Sequence, residues 1–345
     1  MSISAGWNIS RGLKRMIDNK PQSALPHLAL VASFMLWGIN IISMKVGGRE
    51  WEPLVFNGLR YASILPVLWG YALYYRYSAN RSRPAGEAVS YRMERRDLWL
   101  VIGLGVLSAV GLEAMFSYAL QYSNAANGAV LGRGFMPVIT VLFALWLREI
   151  RLTPRLLVGL PLAICCVAIV VAGGSEGLHF TAETLRGDVL LLLRSILGAL
   201  YLIGMNRLVK KYPLPLLVAI EMTAGAAALL PAVLIQVDAN MLTSMSASGW
   251  ISLAYTALFG TVLGFYAHNW SLGKLGPVKA SVYGFLLPVM AAIAGYVLLN
   301  ESLSAYQLIG GTGVLAAMYI VQRDRYQKRA GDPISRSAAE HQHKG

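Results

Sequence analysis

The sequence is short of charge. Asp, Glu, Lys and Arg make up 14% of its 345 residues, where soluble domains carry roughly a quarter. That shortage argues against an ordinary soluble enzyme, and 56% apolar residues with a mean hydropathy of +0.53 argue for lipid as the main solvent. Acids are scarcer than bases, 17 against 30, for a formal charge of +13. Such an excess suits nucleic acid when a soluble domain gathers it on one face. Here the bases are scattered between apolar runs, so they read as topology signals, and no nucleic-acid partner is expected. The two cysteines, Cys165 and Cys166, are adjacent in one apolar run, which allows neither a disulfide framework nor a metal-ligand spacing. They read as small packing residues. Catalytic signatures are missing too: no metal-spaced His/Asp/Glu cluster, no nucleophile elbow and no phosphate-cradling loop with its lysine. His341-Gln342-His343 is too short a tract for a metal site. No catalytic residue, metal or cofactor is expected.

What the sequence has is length of apolar run. A spanning helix needs about 20 mostly apolar residues, and ten runs qualify: 27–46, 53–75, 98–120, 125–147, 155–173, 187–206, 213–236, 249–271, 276–299 and 304–322. All are longer than strands and none alternates with period two, which excludes a β-barrel. The first run is too long for a signal-peptide core and no small-residue cleavage site follows it, so it is expected to remain as a helix. Lys and Arg set the orientation. The alternate connections 1–26, 76–97, 148–155, 207–212, 272–275 and 323–345 hold 23 of the 30 bases, while the other set holds Arg49 and Arg186. By the positive-inside rule both termini are cytoplasmic, and 323–345 is a basic tail suited to anionic lipid heads. The fold class expected is all-α: ten transmembrane helices in a bacterial inner membrane.

The second half echoes the first. A shift of 151 residues matches Trp99 with Trp250, Leu112 with Leu263, Ala129 with Ala280, Pro137-Val138 with Pro288-Val289 and Gly159 with Gly310; a shift of 152 matches Glu149 with Glu301. The units are 27–173 and 187–322, each with five spans. Because five is odd, the second enters the membrane from the opposite side, an inverted repeat of the kind found in secondary transporters.

Several local features then line up with one family. They are Trp37-Gly38-Ile39-Asn40 with Lys45 in the first span, Arg60 in the second, Tyr118-Ala119-Leu120 before a small-residue helix, and Pro137 followed by Glu149. Gly187-Asp188 opens the sixth span, and Pro288 is followed by Glu301-Ser302-Leu303. Over nearly its whole length the chain resembles the EamA-type transporters of the drug/metabolite transporter superfamily. The resemblance implies ten helices in two five-helix repeats and a substrate among amino acids or related metabolites, with export the usual direction. The chain departs from the usual pattern in carrying Glu113, Arg133 and Glu221 deep within spans.

Charge at the bilayer centre costs about 2.5–3.5 kcal/mol on insertion scales, so such residues are functional candidates first. Counted from span ends at 1.5 Å per residue, Glu113 and Arg133 lie about 12–14 Å deep on successive antiparallel helices. They can pair structurally, or Arg133 can receive a substrate carboxylate or phosphate while Glu113 balances it or binds a proton. Glu221 is a second proton-coupling candidate, or is structural beside Arg60 or Arg194; His268 is a third, or an interfacial residue. Pro137 and Pro288 each remove a helical hydrogen bond, to the carbonyls of Arg133 and Gly284, which marks two helix breaks or hinges in matching places. Trp37, Asn40, Arg60, Tyr118, Asn127, Trp270 and Tyr283 complete the candidate lining. Small-xxx-small patterns at Gly128–Gly132 and Gly260–Gly264 read as packing seams.

These readings converge on a secondary carrier for a small polar metabolite, an amino acid or related carboxylate, working by alternating access with the lipid bilayer as its surroundings. Export of an organic cation or drug is the alternative, with Glu113 and Glu221 as recognition groups. A membrane-embedded enzyme or scaffold is a third, poorly served by loops this short. Substrate, direction, coupling ion and oligomeric state are not set by the sequence.

Overall fold

A computed structural model describes residues 24–47, 50–81, 92–123, 127–128, 130–173, 181, 183–237, 243–299 and 303–323. The elements among them are all helical: α1 (Leu25–Gly47), α2 (Pro53–Arg81), α3 (Arg95–Val106, continuing through Leu107–Ala114 and Met115–Tyr122), α4 (Val130–Gly134, then Met136–Trp146) and α5 (Pro154–Ala172). The second half holds α6 (Leu185–Leu208), α7 (Leu214–Gln236), α8 (Ala247–Tyr255, Thr256–Leu263, Gly264–Leu275), α9 (Pro277–Val282, Tyr283–Phe285, Leu286–Leu299) and α10 (Ala305–Gln322). Helix ends follow local chemistry. Thr153 caps α5, accepting from the Leu156 amide, with Pro154 at the first turn. Ser304 and Gln307 form a reciprocal capping box at α10. Gly276, at φ 82°, stops α8, and Pro277 starts α9. One boundary differs from the sequence reading: α2 runs on to Arg81 rather than ending near residue 75, because Tyr71–Asn80 contains no helix breaker.

Seven helical stretches among the described residues are long and apolar enough to cross a membrane, in α1, α3 and α5 to α9; the apolar part of α4, Val130–Trp146, is shorter. Their outward faces carry large apolar side chains such as Leu157, Leu234, Ile235 and Ile251, all more than half exposed. In water that surface would drive association; in a bilayer it is solvated. The protein is an integral membrane protein.

The helices pair in a self-consistent way. α1 packs against α8 and α9, α6 packs against α3 and α4, α2 packs against α7, and α5 against α10. Exchanging the first five helices for the last five turns the first two statements into each other and leaves the other two unchanged. Close approach is made by glycine. A Cβ on Gly38 would lie 2.7 Å from the Met290 Cβ, joining α1 to α9, and one on Gly310 would lie 2.7 Å from the Val170 amide nitrogen and 2.8 Å from the Cys166 carbonyl, joining α10 to α5. Without a hydrophobic force between helices in lipid, such contact is what holds them.

Four helices change winding along their length. α3 (Leu107–Ala114), α8 (Thr256–Leu263) and α4 (Val130–Gly134) widen to π-helix, and α9 tightens to 3₁₀ at Tyr283–Phe285. The 151-residue shift lays the α3 break on the α8 break to within two residues and the α4 break over the α9 break. Gly310→Val should force α10 off the Val170 backbone and destabilise the protein by about 1–3 kcal/mol, measured as a lower midpoint of thermal unfolding in detergent.

Candidate functional site

A change of winding leaves backbone carbonyls without their helical partner, and in lipid each must find another. Here side chains from the opposite half supply it. Arg194 on α6 donates from Nε to the Leu112 carbonyl (2.8 Å) in the α3 break and from Nη1 to the Gly132 carbonyl (2.7 Å) in the α4 break. Its neighbour Ser195 donates to the Leu131 carbonyl at 2.6 Å. In the other half, Trp37 on α1 donates from Nε1 to the Gly260 carbonyl (2.8 Å) in the α8 break. The first helix of each half therefore covers a break in the other.

Beside the α3 break lies a buried charge cluster. Glu113 Oε2 is 3.3 Å from Arg60 Nη2 of α2, and Glu113 Oε1 is 3.8 Å from Arg194 Nη2. Arg60, Arg194 and Glu113 are 1%, 4% and 7% exposed, so their charges act in low dielectric. Arg194 also lies over the Phe116 ring at 4.9 Å. One carboxylate is thus shared between two guanidiniums, and the buried Arg60 Nε has no hydrogen-bond partner among the described residues. Asn57, one turn before Arg60, donates to the Pro53 carbonyl (2.8 Å) and reaches Ser117 Oγ (3.4 Å).

A second polar group stands two turns further along the same face of α6. The Tyr201 hydroxyl donates to Glu221 Oε1 of α7 (2.8 Å) and accepts from Asn269 Nδ2 of α8 (3.2 Å). Glu221 and Asn269 are fully buried, and Glu221 Oε2 has no hydrogen-bond partner among the described residues. α6 therefore joins both acids, Glu113 through Arg194 and Glu221 through Tyr201.

The other residues singled out from sequence fall in different places. Trp37, Asn40 and His268 share the α1–α8 seam: Trp37 stands 5.1 Å from the His268 ring, and a Cβ on Gly260 would meet Asn40 Oδ1 at 2.7 Å. His268 is 4% exposed, a core residue rather than an interfacial one. Tyr283 is held at the end of α1, its hydroxyl 2.6 Å from His27 Nδ1. Asn127 belongs to a separate group with Ser123 and Thr184 around the Asp188 carboxylate (2.9, 2.6 and 2.9 Å). Tyr118 is 43% exposed and Trp270 is half-buried, both outside the charge cluster.

The pairing of Glu113 with Arg133 rests on a side chain outside the described residues; among those described, Arg60 and Arg194 are cationic partners of Glu113. Glu221 bonds to Tyr201 rather than to Arg60 or Arg194. Pro137 opens the α-helical part of α4, and the π segment Val130–Gly134 lies in the turn before it, where a proline removes the bond to the carbonyl four residues earlier; the Leu131 and Gly132 carbonyls of that segment are taken by Ser195 and Arg194. Gly284 lies buried within the α9 break, four residues before Pro288. Arg194, Ser195, Tyr201 and Asn269 were not read as site residues. Only the mid-span charge of Arg194 signalled one.

Apolar helices with changes of winding, packed around buried opposite charges, suit a membrane transporter. The comparisons with known proteins agree: the EamA-like transporter family matches residues 25–172 and 185–323, and the chain belongs to that family. An uncharacterized transporter of Archaeoglobus fulgidus is 27% identical over 87% of this chain and 98% of its own length. The uncharacterized inner membrane transporter YedA of Escherichia coli is 26% identical over 86% and 90%. A probable amino-acid metabolite efflux pump of Salmonella typhimurium is 24% identical over 83% and 91%. A protein of known crystal structure shares the fold at a TM-score of 0.69, with 17% identity over 88% of this chain and 97% of that one.

Removing the carboxylate should leave two buried guanidiniums uncompensated. Glu113→Ala is expected to cost about 3–5 kcal/mol, read as thermal unfolding in detergent, and Glu113→Ala combined with Arg60→Met should recover part of that loss.

Proposed function

We propose that this transporter exports a small polar metabolite bearing a carboxylate, an amino acid or close relative, across a bacterial inner membrane by alternating access. On this reading all ten helices cross the bilayer as two inverted five-helix repeats, 27–173 and 187–322, with both termini cytoplasmic. The observation that carries the substrate class is Arg60: a buried guanidinium with an unused Nε–H, beside a carboxylate already shared with Arg194. A guanidinium fork matches a carboxylate in two parallel hydrogen bonds. The same arrangement weighs against an organic cation, because Glu113 has two guanidinium neighbours. The printed name of the Salmonella relative points the same way.

Glu221 is the group we assign to proton exchange, with Tyr201 and Asn269 as its hydrogen-bonded path towards α6 and α8. Trp37, Asn40 and His268 form the wall of the path along α1.

The test uses purified protein in liposomes loaded with pooled amino acids, organic acids and cations, with efflux followed by mass spectrometry under an imposed pH gradient. Carboxylate-bearing compounds should leave selectively. Arg60→Lys keeps the charge but loses the fork, and should slow that efflux about 10–100-fold; unchanged efflux, or efflux of cations alone, overturns the reading. Glu221→Gln should flatten the dependence of transport on pH while leaving exchange of labelled for unlabelled substrate intact.

A further inference from the structure

Two polar latches tie the halves together, one at each end of the molecule. At one end Glu50, just ahead of α2, accepts hydrogen bonds from the Ser246 amide (2.9 Å), the Ser246 hydroxyl (2.5 Å) and the Ser248 hydroxyl (3.2 Å). Its carboxylate sits at the N-terminus of α8, which Ser246 caps, where negative charge is favoured. Next to it Trp51 meets Trp250 edge-on, with centroids 5.4 Å apart.

At the other end Lys211, just past α6, reaches Asp97 Oδ2 (2.7 Å) and Glu94 Oε1 (2.8 Å) at the start of α3. The Tyr212 hydroxyl donates to the same Asp97 oxygen (2.7 Å) and accepts from the Glu94 amide (3.3 Å). Hydrogen bonding to Ser246 holds the Glu50 carboxyl below its usual range, and bonding to Asp97 and then Glu94 holds the Lys211 amine above its own, so both are charged at neutral pH. The 23 residues of α7, which begins just after Lys211 and ends where Val237 packs against the cluster around Trp51, separate the two ends by about 35 Å at 1.5 Å per residue.

The latches occupy matching places in the two halves. Glu50 lies in the α1–α2 turn and Lys211 in the α6–α7 turn. Each reaches the first turn of the third helix of the opposite half, and the 151-residue shift carries Asp97 onto Ser248. Both latches are made at once, and between them Arg60, Glu113 and Glu221 are buried.

We propose that these are the two gates of the transport cycle, opened one at a time. Glu50 with Ser246 and Ser248 closes the outer gate, and Lys211 and Tyr212 with Asp97 and Glu94 close the inner one. The assignment of faces rests on the inverted-repeat reading above. Solvent-exposed ion pairs and hydrogen bonds are weak, which suits contacts broken in every cycle, whereas the contacts at the helix breaks are buried and persist.

The test reads accessibility rather than flux, so it holds whatever the substrate is. In full-length protein with Cys165→Ala and Cys166→Ala, a reporter Ser117→Cys beside the charge cluster is labelled with a membrane-impermeant maleimide, in intact cells for the outer face and in inverted vesicles for the inner. Glu50→Ala should raise labelling from outside about fivefold and lower it from inside; Lys211→Ala should do the reverse, by population shift between the two open states. Asp97→Lys together with Lys211→Asp should return labelling to the starting pattern. Equal changes from both faces, or none, overturn the gates. Cysteines placed singly at 50 and at 211 should label from opposite faces; labelling from one face overturns the inverted topology itself and is distinguishable from failure of the gates.

Discussion

A backbone carbonyl without a partner cannot be left in hydrocarbon, and the arrangement of this protein follows from that constraint. Helices α3, α4 and α8 give up regular winding over part of their length, and buried carbonyls there take side-chain partners. Arg194 meets two of them with separate nitrogens of one guanidinium, and Trp37 meets a third with its indole. Neither residue belongs to the half it stabilises. The two halves therefore meet at the breaks, each supplying donors to carbonyls of the other.

The charge cluster follows from the same contacts. With Nε and Nη1 of Arg194 committed to carbonyls, its Nη2 points to Glu113, which lies in the break whose Leu112 carbonyl Arg194 already holds. A buried carboxylate needs compensation, and Arg60 adds it from α2. The cluster thus ties α2, α3 and α6 at one point, and Tyr201 extends the connection to Glu221 and Asn269 on α7 and α8. Replacing Arg194 by lysine keeps one charge but cannot serve three acceptors in different directions.

Much of this architecture was legible in the sequence because the bilayer imposes one-dimensional rules. Run length marked the helices to within a few residues, except at α2, where Tyr and Arg at its end read as loop although they are ordinary helix formers at a membrane interface. Breaks were legible through Pro137 and Pro288 in α4 and α9, whereas the π segments of α3 and α8 carry no proline and gave no such signal. Depth counting singled out Glu113 but does not give the face of a helix, so it could not bring Arg60 and Arg194 beside it. Arg60 and Arg194 stand at comparable depth, and only packing brings them to Glu113. The second polar group was hidden for a related reason. Tyr201 and Asn269 are uncharged, and nothing along the chain distinguishes them from interface tyrosines and packing amides.

The distribution of strong and weak contacts bears on how such a molecule can move. If the halves rocked by parting along their whole boundary, the Leu112, Gly132 and Gly260 carbonyls would lose Arg194 and Trp37 together, at a cost of several kcal/mol for each unsatisfied group in lipid. Rotation about those points keeps them covered. The ends of the boundary are held differently, by Glu50 with the α8 N-terminus and by Lys211 with the α3 N-terminus, where water replaces any bond that is lost. On the proposed alternating-access reading, motion is cheapest as a rocking about the helix breaks, with one end opening as the other stays closed. The glycines at Gly260 and Gly264 support this pivot, since they let Asn40 and Trp37 lie directly on α8, where a larger side chain would push the fulcrum apart.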